Sequence, residues 1–268
     1  MSGEWDFYFC TIEERPASVM VDLEAATRAP DPARGWLLSV QVPMRTPRPD
    51  GLSSADEATD LRVLEEQIDA ELSAVCGAEQ VGRLTWDGQR EIFYYARSEE
   101  GVEEALRRAV AAVPGYEGLA WRAEEDAAWS HYREFLHPGP DEMQWIKDRR
   151  VVDELRSHGD QLDLPRPVDH YAFFQQKASR DAFLAAAAEQ GFVGRPAGAE
   201  AEGAPAEGGE GEAGASQDGR FGAHLVRPDP VEMGHIHDVT CALSVLAESH
   251  GGRYDGWGCP VRRAVGHG

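Results

Sequence analysis

The first part of the chain alternates between extended apolar runs and short polar breaks. Residues 5–12 and 17–23 are rich in aromatic and β-branched side chains, and Arg15-Pro16 between them indicates a turn. A third run of this kind covers residues 36–44 and leads into a proline-rich loop. These patterns predict an N-terminal β-hairpin followed by a third strand.

A helical repeat of apolar residues follows the proline-rich loop. The residues that share one helix face are Leu61, Leu64, Ile68, Leu72 and Val75. Ser54 can cap the start of this helix, with Glu57 reaching back to it in a capping box. Gly77 is placed to end the helix, because glycine adopts the left-handed conformation found at many helix C-termini.

Two more strands and a second amphipathic helix complete the first half. Residues 81–86 and 91–97 flank Asp87-Gly88, which is a hairpin turn signal. Residues 102–113 carry a second apolar stripe, and residues 118–122 predict a last strand. From the third strand onward the order is β-α-β-β-α-β, so we expect a ferredoxin-like sandwich with an extra N-terminal β-hairpin.

A proline-rich break divides the chain into two predicted domains. Residues 124–136 have a helical pattern with an acidic start, which suits a helix N-terminus. The sequence His137-Pro138-Gly139-Pro140 then interrupts this pattern. We place the boundary there, which gives a first α+β domain at 1–137 and a second domain at 141–268.

The second half repeats the same order of elements after one additional helix. The predicted elements are a helix ending near Gly159, strand 168–174, a helix capped by Ser179, a strand starting at Phe192, strand 221–226, a helix capped by Asp229 and strand 253–261. The order is again β-α-β-β-α-β. We therefore expect two ferredoxin-like sandwiches of the α+β class.

One segment of the second domain lacks the composition of a folded core. Residues 196–219 consist mainly of Ala, Gly, Pro and Glu without a large apolar side chain. Burial in such a segment cannot offset the entropy lost on ordering it. We expect a disordered acidic insertion at a hairpin tip, and an acidic arm that contacts a partner is the alternative.

The net charge of the chain indicates which classes of binding partner are compatible with it. The sequence contains 26 Lys and Arg against 48 Asp and Glu, a formal net charge of -22 at pH 7. Such a surface repels phosphate backbones and anionic lipids, so direct nucleic-acid and membrane binding are not expected. A basic protein partner fits this charge better.

Targeting and redox signals indicate a cytoplasmic protein. No run of 18 apolar residues predicts a membrane span, and the acidic start Met1-Ser2-Gly3-Glu4 does not have the features of a signal peptide. Cys10, Cys76, Cys241 and Cys259 are scattered without metal-binding or redox spacing, which is typical of free thiols in a reducing compartment.

Few residues of the sequence indicate a catalytic, cofactor-binding or metal-binding site. The glycine-rich nucleotide-binding motifs, the nucleophile-elbow motif and the zinc-protease motif are all absent, so neither catalysis nor a cofactor is expected. A zinc site built from His224, His235 and an acid is a minor alternative. A Cys241 nucleophile beside His237 is another, although a small buried thiol is the simpler interpretation.

Two short segments of the second half combine charged, aromatic and glycine residues in an unusual pattern. The first contains Gly159-Asp160, Pro165-Arg166 and Asp169-His170, and the second contains Gly251-Gly252 and Tyr254-Asp255-Gly256-Trp257. Together with Phe173, Phe183 and Gly191-Phe192, these residues resemble the signature of the RraB family, the regulators of ribonuclease E activity B. The first half, through Trp5-Asp6-Phe7-Tyr8, resembles a domain-of-unknown-function family that is often fused to RraB.

The resemblance implies a non-catalytic protein that binds ribonuclease E, through a basic scaffold region, and inhibits it. The expected contact residues are Arg166, Asp169, His170, Tyr254, Asp255 and Trp257. No metal or cofactor is implied. Two alternatives stay open: an immunity-type protein that neutralises a basic toxin, and an enzyme or ligand-binding module with a cleft between the domains that uses acids with His170 or His224.

Overall fold

The computed structural model describes residues 3–195 and 221–263. The chain forms two compact units, residues 1–142 and 143–268. Within the described ranges it is an α+β protein with one antiparallel sheet of six strands and another of four. The predicted acidic insertion at 196–219 lies outside the described residues.

The first unit is built on the six-stranded sheet. Its strands are β1 (Trp5–Ile12), β2 (Arg15–Asp22), β3 (Trp36–Pro43), β4 (Glu79–Trp86), β5 (Gln89–Ala96) and β6 (Ala120–Glu125). Its helices are α1 (Ala25–Arg28), α2 (Ala58–Cys76) and α3 (Val102–Ala112), and a π-helical turn covers Tyr132–Leu136. The strand order is β1-β2-β4-β5-β3-β6, with antiparallel neighbours throughout.

Helices α2 and α3 cover one face of this sheet. Leu38, Val40 and Tyr94 point toward the helices and are fully or almost fully buried with them. Four residues of the predicted α2 stripe are buried, but Val75 is 40% exposed at the last turn. Gly77 ends α2 in the left-handed conformation, as predicted, with φ of 64°.

The predicted capping box at the start of α2 is wrong. Glu57 itself occupies the N-cap position, and its carboxylate accepts hydrogen bonds from the backbone N–H groups of Arg45 (2.8 Å) and Thr46 (2.7 Å) and from the Tyr116 hydroxyl (2.8 Å). Burial alone would raise the pKa of Glu57, but these hydrogen bonds hold it below its ordinary value. Glu57 therefore ties the loop after β3 to Tyr116 instead of pairing with Ser54.

The helix predicted over residues 124–136 is also largely absent. Strand β6 continues to Glu125 because it pairs along β3. Asp126 then accepts hydrogen bonds from the backbone N–H groups of Ser130 and His131, which fixes a turn. Trp129 has a positive φ of 57° and stacks on Tyr95 at 4.0 Å, so the helical pattern is interrupted by side-chain packing on the sheet.

The second unit consists of four strands and three helices among the described residues. They are α4 (Pro140–Ser157), β7 (Arg166–Phe174), α5 (Lys177–Glu189), β8 (Val193–Gly194), β9 (Phe221–Asp229), α6 (Met233–Ser249) and β10 (Gly252–Gly258). The strand order is β10-β7-β9-β8, again antiparallel. Phe174, Phe183 and Leu243 form the centre of its core.

Two predicted helix caps in this unit are wrong. Ser179 lies inside α5, whose N-cap is Gln176. Asp229 ends β9, and its carboxylate accepts hydrogen bonds from Arg227 and His235. The chain stays extended beyond Asp229 because Val231 is fully buried and its N–H donates to Leu162, so α6 begins only at Met233.

The glycine pair before β10 has two different roles. Gly251 has φ of 69°, and a Cβ atom there would meet nothing within 4 Å. A Cβ atom on Gly252 would lie 2.1 Å from a ring carbon of Phe174, which is the cross-strand neighbour of Gly252. The first glycine is required by the backbone conformation and the second by close packing.

We predict that Gly252→Ala costs about 3 kcal/mol of unfolding free energy, because the buried Phe174 ring must move. Gly251→Ala is the matched control and costs about 1 kcal/mol through backbone strain alone. Urea unfolding followed by circular dichroism measures both. An equal or larger loss in Gly251→Ala would contradict the packing role of Gly252.

Candidate functional site

The alternation of side chains along each strand places the predicted contact residues of the second unit on both faces of the four-stranded sheet. On β7, His170 shares the helix-covered face with Val168 and Ala172, whereas Asp169 points to the opposite face. Arg166, at even spacing from His170, also lies on the helix-covered face. The six residues therefore do not form one continuous surface.

A β-bulge at Asp255 changes the alternation on β10. Tyr254 pairs with Ala172 and Gly256 pairs with Tyr171, so Asp255 is an extra residue. As a result Tyr254 and Trp257 lie on the same, helix-covered face, although an odd spacing would ordinarily separate them. Gly256 has φ of 152°, a conformation that favours glycine.

Four hydrogen bonds converge on the buried carboxylate of Asp148. Asp148 lies on α4 with 0% exposure. Its donors are Gln144 Nε2 (2.8 Å), His237 Nδ1 (3.0 Å), the Thr240 hydroxyl (2.6 Å) and the indole N–H of Trp257 (2.9 Å). This carboxylate therefore joins α4, α6 and β10 at one point.

The Asp148 cluster accounts for the position of Trp257. Burying a carboxylate without donors costs several kcal/mol, on the order of 3–5 kcal/mol when one partner of a buried pair is removed. The four donors offset that cost only in one arrangement of the three elements. The indole of Trp257 is thus half-buried and oriented by the fold.

A buried ion pair stabilises the segment before β7 that contains Asp160 and Arg166. Arg166 donates to Asp160 at 2.6 and 2.5 Å, and neither side chain is exposed. Arg166 also donates to the carbonyl oxygens of Gln161 and Leu164. The same Asp160 carboxylate accepts a hydrogen bond from the backbone N–H of Arg262, so this pair closes the loop before β7 onto the chain after β10.

His170 and Tyr254 form a buried hydrogen-bonded pair. The Tyr254 hydroxyl lies 2.8 Å from His170 Nδ1, and burial raises the pKa of Tyr254. The hydroxyl therefore stays protonated and donates to the ring. Burial also lowers the pKa of His170 to about 3, so the imidazole is neutral at pH 7.

Asp169 belongs to a polar cluster on the opposite face of the sheet. His224 Nε2 lies 2.7 Å from its carboxylate, and Arg195 lies 3.6 Å from it. The His224 ring stacks on Tyr171 at 4.9 Å. Asp169 is 4% exposed, so its charge is largely satisfied by these neighbours.

The six predicted contact residues differ in solvent exposure. Arg166, Asp169, His170 and Tyr254 are buried, with 6% exposure or less. Asp255 has 46% side-chain exposure and Trp257 is half-buried. A partner can therefore touch Asp255 and part of Trp257 directly, and the partner-binding role of the six residues stays a prediction.

The structure does not assemble the predicted zinc alternative. His224 hydrogen-bonds to Asp169, whereas His235 hydrogen-bonds to Asp229. Among the described residues, no group of three or more His, Cys, Asp or Glu side chains is arranged to hold a metal ion.

Cys241 and His237 are neighbours on α6, but their geometry differs from an activated thiol. The sulfur lies 3.6 Å from His237 Nε2 and 3.7 Å from Nδ1. These nearly equal distances place the sulfur beside the ring instead of in line with one nitrogen, while Nδ1 is engaged with Asp148. The pair therefore lacks the alignment that base-assisted nucleophilic attack uses.

Sequence reasoning missed Asp148, although a signal was present. Asp148 precedes Val152 by four residues and Leu155 by seven, and both of these are buried on α4. A charged residue within an apolar helical stripe predicts a buried, hydrogen-bonded carboxylate.

Comparisons with known proteins match both halves of the chain. The model of a family of unknown function, DUF695, matches residues 3–137. The model of the family Regulator of ribonuclease activity B (RraB) matches residues 145–259. These matches confirm the two resemblances that the sequence motifs predicted. No curated protein matches the chain significantly.

One solved structure covers most of the chain. It is described as the crystal structure of an unknown protein from Galdieria sulphuraria and is 16% identical, covering 83% of this chain and 96% of that chain. Its TM-score is 0.20, which is too low to establish a common fold.

None of the helices in the described part of the chain combines the length and hydrophobicity needed to cross a membrane.

We predict that Asp148→Asn lowers the unfolding free energy by about 3 kcal/mol, because an amide places N–H groups against existing donors. Asp153→Asn is the control on the same helix, where a 45% exposed carboxylate pairs with Arg149 and Arg156. It costs less than about 1 kcal/mol. Urea unfolding measures the difference between the two variants. Equal stability of the two variants would exclude the Asp148 role.

We also predict that His170 does not titrate between pH 7.5 and 5, because burial disfavours the imidazolium. Ring NMR shifts of His170 measure this directly, with an unstructured histidine peptide that titrates at about pH 6.5 as reference. A His170 titration with a midpoint near that of the peptide would show that the ring reaches water and would contradict its placement.

Proposed function

We propose that this chain is a non-catalytic inhibitor of a ribonuclease. It belongs to the family of unknown function DUF695, and its residues 145–259 match the family Regulator of ribonuclease activity B. The ribonuclease is of the E type, and the inhibition acts through protein–protein contact. The family match of residues 145–259 is the observation that carries this proposal.

The proposal includes a ferredoxin-like topology for each unit. Its support is the strand order β10-β7-β9-β8, in which the first strand of the unit lies between the fourth and the third. The order β4-β5-β3-β6 repeats this relation in the first unit, with the β1–β2 hairpin added beside β4. Antiparallel pairing throughout agrees with the β-α-β-β-α-β sequence of elements.

The burial and hydrogen bonding of the polar residues in the second unit support binding over catalysis. Asp148 and Arg166 are buried, and their hydrogen bonds go to other parts of the same unit. His170 is also buried and pairs with Tyr254 through Nδ1, while its Nε2 has no partner among the described residues. Groups engaged in this way set the shape of the domain and are not aligned toward a substrate. We infer that these residues position the contact surface and do not react.

The charge of the chain indicates the chemistry of the partner. A net charge of -22 favours association with a basic segment, such as an arginine-rich scaffold region of the ribonuclease. Competition with RNA for the same arginines would then lower RNA processing. The proposal also places the protein in the cytoplasm, which the four free cysteines support.

The contact surface is proposed at the bulge of β10. This strand lies at one edge of the four-stranded sheet, and the bulge presents the Asp255 carboxylate to solvent. Asp255 pairs with Arg253 of the same strand at 3.2 Å, and an arginine of the partner can join or replace this exposed pair. Arg166, His170 and Tyr254 support this strand from the helix-covered face of the sheet, and Asp169 supports it from the opposite face.

We predict salt-sensitive retention of the chain on the immobilised arginine-rich region of ribonuclease E. Raising the salt from 50 to 500 mM removes most of the bound chain, because exposed ion pairs are screened. Asp255→Lys weakens retention at low salt about tenfold, through loss of one pair and gain of a repulsion.

Asp238→Lys is the matched control, since Asp238 is an exposed aspartate of α6 in the same unit and the net charge changes equally. It reduces retention less than twofold. Absence of retention at low salt would remove the proposed partner. Equal effects of the two substitutions would leave the partner but exclude the β10 surface.

A further inference from the structure

Strand β6 forms one edge of the six-stranded sheet of the first unit, where β3 is its single neighbour. It pairs with β3 in a regular register without a bulge, and it contains no proline or lysine. All of its residues are exposed or half-buried. Soluble proteins ordinarily protect edge strands with a bulge, a proline or a lysine, so β6 is unusually open to pairing with another strand.

The backbone groups of every second residue of β6 point away from the sheet. The N–H of Asp126 donates to the carbonyl of Gly35 at 2.8 Å, directly after the last β3–β6 residue pair. Residues of an antiparallel pair alternate between facing the partner strand and facing away from it. The outward N–H and C=O groups therefore belong to Trp121, Ala123 and Glu125. No hydrogen bond from the described residues reaches these groups.

Two opposite charges lie on the face of β6 that points away from α2 and α3. Trp121 and Ala123 pack toward the helix-covered core. Arg122 and Glu124 alternate with them and lie on the other face. The Arg122 side chain is 72% exposed and uses Nη2 for Glu91 at 3.1 Å, which leaves other N–H groups of the guanidinium available. Glu124 is exposed and makes no hydrogen bond or ion pair with the described residues.

We propose that a second copy of this chain pairs with β6, antiparallel and centred on Ala123. In that register Arg122 of each copy lies opposite Glu124 of the other, which forms an ion pair on each side of a two-fold axis. The outward groups of Trp121 meet those of Glu125, and Ala123 meets its own copy. The two sheets then become one continuous sheet.

Charge selects this register over its neighbours. Sliding one copy by two residues keeps outward groups opposite each other, but it places Arg122 opposite Arg122 or Glu124 opposite Glu124. Like charges directly opposite each other destabilise a strand pair. Sliding by one residue places outward groups opposite inward ones and loses the hydrogen bonds. The edge is thus complementary to itself, and the inference is independent of the ribonuclease proposal because it uses residues of the first unit alone.

Sedimentation equilibrium of the full chain tests for the second copy. Each copy carries a formal net charge of -22, so the experiment uses about 150 mM salt, where the screening length is about 8 Å. A single strand pair gives a small interface, so concentrations up to about 500 µM are needed. We expect a reversible monomer–dimer equilibrium. A chain that stays monomeric throughout would overturn the proposal and leave this edge to a segment of another protein.

Hydrogen exchange measured by NMR locates the contact within the dimer. The outward amides of Trp121, Ala123 and Glu125 should exchange at least about threefold more slowly at high than at low chain concentration. The amides of Arg122 and Glu124 already bond to β3 and should keep their rates. A dimer without this alternating pattern would show that the copies meet elsewhere and would overturn the β6 contact.

Charge exchange tests the register. Arg122→Glu and Glu124→Arg should each weaken the dimer about tenfold or more, although they change the net charge in opposite directions. The double variant Arg122→Glu/Glu124→Arg should recover the affinity to within about threefold, because it restores both pairs with reversed polarity. Its recovery also shows that the single variants lose pairing and not folding, which circular dichroism checks.

Arg62 and Glu66 supply the matched controls, since they form an exposed arginine–glutamate pair on α2. Arg62→Glu and Glu66→Arg make the same changes in net charge and should alter the dimer affinity by less than about threefold. If Arg122→Glu weakened the dimer while Glu124→Arg strengthened it, net charge alone would explain both effects and the proposal would be overturned. Failure of the folded double variant to recover affinity would overturn it as well.

Discussion

A single buried carboxylate constrains the second unit. Asp148 accepts hydrogen bonds from its own helix, from α6 and from the indole of Trp257, and it has no exposure to solvent. Because a buried carboxylate is costly unless all its donors are present, this interaction fixes α4 and α6 relative to β10 of the sheet. The position of Trp257, and with it the outer surface of β10, depends on that arrangement.

The remaining signature residues serve the same unit in different physical ways. Arg166 and Asp160 close the loop before β7, and Tyr254 with His170 fills the sheet–helix interface. The glycine at 252 admits the Phe174 ring, and Gly256 permits the bulge that brings Tyr254 and Trp257 to one face. A short sequence motif thus describes a shape, and Asp255 and part of Trp257 are among its residues that solvent reaches.

The elements that depend on local pattern were predictable from the sequence. The apolar stripe of α2, the glycine that ends it and the Asp87-Gly88 hairpin follow from periodicity and backbone preference. The helix caps were mispredicted because Glu57 and Asp229 use their carboxylates in long-range contacts. The segment after β6 was mispredicted because Trp129 stacks on Tyr95, a contact that no local pattern encodes. The cluster around Asp148 was missed because His237, Thr240 and Trp257 are distant from it in sequence and reach it only in the folded unit.

The proposed inhibition is tested most directly by the rate at which ribonuclease E cleaves a defined RNA as the full chain is titrated in. The account predicts a rate that falls to a plateau at saturating chain, while the chain alone leaves the RNA intact. An unchanged rate with the chain in large excess, or cleavage of the RNA by the chain itself, would contradict it.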